Sequence, residues 1–330
     1  MAKTISHRER MENCLSGKVQ SKIPTALWRH FPVDDQKADT FAKAVINFQS
    51  TFEFDFIKVT PASSYCVKPW GVEDVWTGNP HGTRDYTKYV IEKPEDWEKL
   101  SPVNPDEGTL GMVNQCLEML VNHYNTHTPI IQTIFSPLSQ AKNIVGPEKL
   151  LLHLRNFPKA VHAGLKTITE NTLQYLNFIA EIGIDGIFYA VQHAQHSLLT
   201  ENEFKTFGKH YDMQILSSLD RFWLNVGHIH GEDIMFKQVA DYPVQILNWH
   251  DQDTFPSLSQ AKKLTDAAVC GGIKQEETMV LGTPDEIIAE AENAVSETNG
   301  ERFILGTGCV LPITAPYGNI ISASNHQINS

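Results

Sequence analysis

Apolar runs bounded by turn residues recur along the chain at residues 23–30, 54–61, 129–137, 185–192, 222–230, 244–250, 266–273 and 302–309. Several are almost continuously apolar and turn polar only at their C-terminal end, the pattern of parallel strands buried on both faces. Between them lie helical patterns. Phe41, Val45 and Phe48 follow the four-and-three spacing of a helix over 35–51, and Leu110, Val113, Leu117 and Leu120 do the same over 108–123. Residues 147–155 and 159–182 read as a helical pair broken near Phe157 and Pro158. A helix over 200–220 opens with a Thr200/Glu203 capping box. Helices at 257–264 and 283–298 follow, the second with Thr283 as N-cap and Pro284 at its first position. Strands alternating with helices predict an α/β (β/α)8 TIM barrel, one domain over 1–330, with residues 62–104 inserted after the second strand and able to roof the barrel mouth.

Composition narrows the class. The 330 residues are 41% hydrophobic and 20% charged, enough for a large core and too little charge for a disordered chain. A net charge of −12 disfavours a phosphate backbone as partner, so nucleic acid is excluded as an expectation. No apolar stretch approaches the ~20 residues of a membrane span, and the N-terminus lacks an apolar signal core. Five scattered cysteines argue against a disulfide framework, which reads as cytoplasmic.

In a barrel of this kind chemistry belongs at the C-terminal strand ends. Those ends carry Arg29 and His30, Ser64, Ser136, then Gln192 and His193 with His196 just beyond, His228 and His230, His250 and Asp251, and Cys309. His228 and His230 are two apart on a strand and so share a side. Together with a Cys309 thiolate they would form a three-ligand set with an open position, the arrangement of catalytic zinc. The competing reading is a polar strand end with hydrogen-bonded histidines. His250 and Asp251 are candidates for an acid–base pair or metal support, and His193 for proton transfer. Arg29, with His30, Ser64, Ser136, Gln192 and His196, is a candidate for binding a small-molecule substrate, the guanidinium suiting a carboxylate. No nucleophile elbow, P-loop, zincin helix or CxxC motif is present.

Two terminal motifs resemble those of the uroporphyrinogen decarboxylase superfamily. They are Arg8-Glu9-Arg10-Met11 with Leu15, Gly17, Ile23-Pro24 and Trp28, and Gly306-Thr307-Gly308-Cys309 through Pro316 with Asn319. Gly282-Thr283-Pro284-Asp285-Glu286-Ile287 also fits. The resemblance implies a (β/α)8 barrel and, by analogy, a possible homodimer. It implies two chemistries. From the decarboxylase pattern the chain departs: a single Arg29 after the first strand, no carboxylate in residues 60–64, no tyrosine in 129–150, and Thr307 in place of a histidine. The zinc-dependent cobalamin methyltransferases are similar at the metal positions, with His228, His230 and Cys309 standing where that branch has His, Cys and Cys. The resemblance therefore implies zinc, a corrinoid as methyl carrier or substrate, a corrinoid protein as partner, and methyl transfer to a thiol. A decarboxylase acting on a carboxylated substrate and a non-catalytic corrinoid- or tetrapyrrole-binding protein are the alternatives.

Overall fold

The computed structural model describes residues 5–325. Seven parallel strands form one curled sheet in the order β1-β4-β5-β6-β7-β8-β9: β1 (Ile57–Val59), β4 (Ile130–Phe135), β5 (Gly186–Val191), β6 (Val226–Ile229), β7 (Ile246–Trp249), β8 (Ala268–Ile273) and β9 (Phe303–Thr307). Every residue of these strands is buried, as the unbroken apolar runs predict. The fold is TIM-barrel-like, and because the seven strands are parallel, the strand ends that bear candidate residues all face the same way.

The run at 23–30 does not form a regular strand. It makes parallel bridges at Thr25–Leu305 and Arg29–Leu311 and accepts from the Asp55 amide through the Thr25 carbonyl. It thus lies between β9 and the start of β1. Pro24 has no amide hydrogen and interrupts the ladder there. Residues 54–61 shorten to the three residues of β1.

The helices that follow the strands pack outside the sheet. α1 (His7–Leu15) opens on Ser6, whose side chain accepts from the Glu9 amide. α2 (Ala38–Phe52) and α3 (Gly108–Tyr124) lie close to the predicted spans. α4 (Pro137–Val145) has no counterpart in the apolar pattern. Pro137, read as the stop of a strand, is its first residue, and Ser136 caps it by accepting from the Ser139 amide. α5 (Pro147–Asn156) and α6 (Pro158–Ile182) form the expected pair, α6 ending on Gly183 in the left-handed region. The helix expected over 200–220 is interrupted by a π-turn at Lys205–Lys209, where Gly208 leaves room for the Phe204 ring against its backbone. The helix expected at 257–264 is reduced to Leu258–Ala261. The capping boxes at Thr200/Glu203 and Thr283/Glu286 both form.

Residues 62–104 hold two short 3-10 turns and a hairpin of β2 (Glu73–Val75) and β3 (Asp85–Lys88). His81, Thr83, Arg84 and Tyr86 of this segment line the cavity at the C-terminal strand ends. Among the described residues no helix is long and apolar enough to cross a membrane.

Candidate metal centre

The strand ends surround a cavity of about 500 Å³, within the range of small-molecule sites. One wall is a cluster of His228, His230, His250 and Cys309, whose ligand atoms all lie within 4.8 Å of one another. Cys309 Sγ is 3.7 Å from His228 Nε2 and 3.7 Å from His230 Nδ1, and His230 Nδ1 is 3.4 Å from His250 Nε2. A tetrahedron with Zn–N near 2.05 Å and Zn–S near 2.3 Å has N···S edges of about 3.6 Å and N···N edges of about 3.3 Å. The three closest separations thus match tetrahedral edges, and the remaining ones stay within 4.8 Å, so the donor set suits a zinc-sized ion.

The protonation states agree. Burial pushes His228 well below the usual imidazole range and brings His230 down to about 4; His250 is lowered for the same reason. All three rings are thus neutral near pH 7 and keep a lone pair to offer. Burial raises the Cys309 thiol instead, so the thiolate form needs a nearby positive charge.

The sequence motif assigned three ligands and an acid–base role to His250. The structure places His250 beside those three as a fourth candidate donor, so three of the four suffice for a metal that keeps one open position. Asp251, its chain neighbour, turns away: its carboxylate accepts from the Gly272 amide at 3.0 Å and from Gln252 at 2.7 Å, outside the cavity wall.

The other sequence candidates divide. His30 and Gln192 line the cavity. His30 is buried with Nδ1 unpaired, and burial brings it down to about 3. The Gln192 amide oxygen accepts from Lys142 at 3.1 Å. His193 is buried behind the wall, also lowered by burial to about 3. Three candidates serve the scaffold instead of the cavity. Arg29 lies over the Phe31 and Phe48 rings at 5.3 and 5.4 Å. Ser64 donates to Asp74, and Ser136 caps α4. His196 is exposed and does not line the cavity.

Two lining groups carry no motif. Lys58, on β1, has its ammonium 4.3 Å from the Phe188 ring centroid and its one hydrogen-bond partner among the described residues in Thr60 Oγ1 at 3.1 Å. Burial lowers it to about 7. Lys142, on α4, is lowered to about 8 for the same reason. Arg84, by contrast, is paired with Asp74 at 2.6 Å.

A parallel α/β sheet curled around a cavity, with three neutral imidazoles and a thiol at its C-terminal edge, defines a TIM-barrel-like protein with a candidate metal centre. The chain belongs to the uroporphyrinogen decarboxylase family, which it matches over residues 8–324. It is 23% identical over 309 residues to a methylcobamide:CoM methyltransferase of Methanosarcina acetivorans, covering 91% of this chain and 86% of the relative. To a uroporphyrinogen decarboxylase of Chlorobaculum parvum it is 25% identical over 247 residues, 68% of this chain and 67% of that one. The solved structure of a methyltransferase from Methanosarcina mazei superimposes with a TM-score of 0.83 at 19% identity, covering 98% of this chain and 99% of the other.

Proposed function

We propose that the protein is a zinc-dependent methyltransferase that moves a methyl group between a corrinoid and a thiol. The observation that carries this reading is the cluster of His228, His230, His250 and Cys309, whose three closest separations match the edges of a tetrahedral site. The similarity to a methylcobamide:CoM methyltransferase over most of both chains supports the corrinoid. A zinc ion held by three of these donors would keep one position for the acceptor thiol and would supply the positive charge that lowers that thiol's pKa towards neutrality.

The chain's own residues do the rest. The strand ends carry the four donors, and Asn248 holds one of them, His228. Trp28, Phe135 and Phe188 give the cavity an apolar wall that limits water near the reacting sulfur. Gln192, Lys142 and Lys58 offer hydrogen bonds to the part of the substrate that does not react. Residues 62–104 act as an insert over the mouth. A corrinoid presented on a partner protein would approach from this open end, since the other end is occupied by α1.

The test is metal content together with methyl transfer. The purified protein is expected to hold one zinc per chain, and His228→Ala and Cys309→Ala to lose most of it. Methylcobalamin should be demethylated only when a thiol is added, and the same two variants should reduce that rate by at least about 100-fold. Conversion of uroporphyrinogen to coproporphyrinogen under anaerobic conditions, unaffected by these substitutions, would establish the decarboxylase reading instead. Cobalamin binding without turnover would establish the non-catalytic one.

A further inference from the structure

One of the four candidate ligands is held by a residue that no motif marks. Asn248 lies on β7 directly opposite His228 on β6 and is fully buried. Its Nδ2 donates to the Cys270 carbonyl on β8 at 2.9 Å and to the Thr307 carbonyl on β9 at 3.0 Å. A primary amide has two N–H bonds, and both are used. Rotating the amide by half a turn would set its oxygen against two carbonyl oxygens, so its orientation is fixed.

The amide oxygen therefore faces the imidazole, with Oδ1 2.7 Å from His228 Nδ1. An oxygen with no hydrogen only accepts, so the ring proton sits on Nδ1. The lone pair is left on Nε2, the nitrogen that stands 3.7 Å from Cys309 Sγ. The same amide reaches the strand that carries the thiol. Thr307, whose carbonyl accepts from Asn248, donates its hydroxyl to the Cys309 carbonyl at 2.8 Å.

We infer that Asn248 is a positioning residue for the metal: it fixes the tautomer and ring plane of His228 and ties the strand bearing that ligand to the strand that leads into Cys309. Because the partner is a neutral amide and not a carboxylate, His228 stays a neutral donor whose basicity is raised less than in a carboxylate–histidine pair. The inference rests on the metal reading of the cluster and is independent of methyl transfer.

Two variants separate positioning from simple packing. Asn248→Leu keeps the side-chain bulk and removes the acceptor. Asn248→Asp keeps an acceptor opposite Nδ1 but loses both donors and buries a charge, so as a fold it is the poorer of the two. Zinc affinity, measured by competition with a chelating dye, is expected to weaken about 10–100-fold in Asn248→Leu and to recover largely in Asn248→Asp. A purely structural role would leave Asn248→Asp at least as weak as Asn248→Leu. Nitrogen-15 NMR of the metal-free protein should show His228 protonated on Nδ1 in the wild type. Unchanged zinc affinity in Asn248→Leu, no recovery in Asn248→Asp, or a wild-type His228 protonated on Nε2 would each overturn the inference while the metal reading stands. Failure of the wild type to bind zinc would overturn both. The NMR measurement needs only the wild type, so the inference is testable even if a variant does not fold.

Discussion

Lys58 stands between Ile57 and Val59 on a strand buried at all three positions. Its folded pKa of about 7 against an ordinary 10.5 is caused by burial. Below pH 7 both folded and unfolded chains hold this proton, and the folded state carries the full cost of a buried ammonium. Between pH 7 and 10.5 the unfolded chain binds the proton and the folded one does not, so this group's contribution to stability rises with pH. Lys58→Met is therefore expected to be more stable than the wild type at neutral pH, with the gap closing as pH approaches 10.5. Urea unfolding of both proteins across that range checks it, and a gap that widens with pH would refute the assigned burial. Residue identity made part of this site legible. His228 and His230 show the two-residue alternation of a strand, and Cys309 closes a recognisable motif. His250 was visible as a strand-end imidazole, but it lies one residue past β7, where the turn and not the strand sets its direction. Lys58 shows in the sequence as a charge inside an apolar run, which by itself says nothing of a cavity. Nothing in the sequence marks which polar strand ends turn to the scaffold, as Ser64 and Ser136 do, because the partner of Ser64 is set by the fold of the loop to Asp74 and that of Ser136 by α4, a helix without a predicted counterpart.

At the scale of elements, the hairpin of β2 and β3 decides the shape of the cavity mouth. Its seat is tight. Gly82 has φ of +76°, and a Cβ placed there would lie 2.6 Å from His30 Cβ and 3.2 Å from Ile313 Cγ2. The Ile313 amide also donates to the Pro80 carbonyl at 2.7 Å, so the loop cannot simply slide. Gly82→Ala combines left-handed backbone strain with overlap against the buried His30 and the half-buried Ile313, and should cost about 1–3 kcal/mol. Most of that is relieved if the hairpin lifts. The expected result is faster proteolysis within residues 62–104 and a weaker substrate KM, with zinc affinity unchanged because all four candidate ligands stand on the sheet ends and their loops. A variant that loses zinc as well would show that the hairpin also shapes the metal centre. The elements were legible where an apolar period persisted: six strands and the long helices α2, α3 and α6 lie close to their predicted spans. They were not legible where local geometry took over. Pro24 breaks the ladder of an otherwise strand-like run, the Pro137 that looks like a stop begins α4, and a π-turn divides the helix after Thr200.

For the whole molecule, the two ends of the sheet do different work. The C-terminal ends hold the candidate ligands; the N-terminal ends are tied together by α1. Asp55, buried just before β1, is ion-paired with Arg10 of α1, bonded to His7 Nδ1 at 3.0 Å, and accepts from the Thr25 amide at 2.8 Å. Asp185, just before β5, takes Arg8 Nη2 at 2.5 Å, Trp223 Nε1 at 2.8 Å and the Ile130 amide at 2.9 Å. The clamp on Asp55 joins the irregular segment around Thr25 to β1, which is where the sheet has fewest ladder bonds. Arg10→Ala leaves the Asp55 carboxylate buried without its main counter-charge, which typically costs about 3–5 kcal/mol. His7 and the Thr25 amide remain as partners, so the lower end of that range applies, still a large fraction of the ~5–15 kcal/mol that holds a domain together. The candidate metal ligands stand on the other end of the strands, on and just past β6, on the turn after β7 and just past β9. In the fraction of Arg10→Ala that stays folded, zinc affinity should therefore equal that of the wild type even as the urea midpoint falls. Equal loss of both would mean that closing the sheet at its base is also what brings the imidazoles and the thiol together at its mouth.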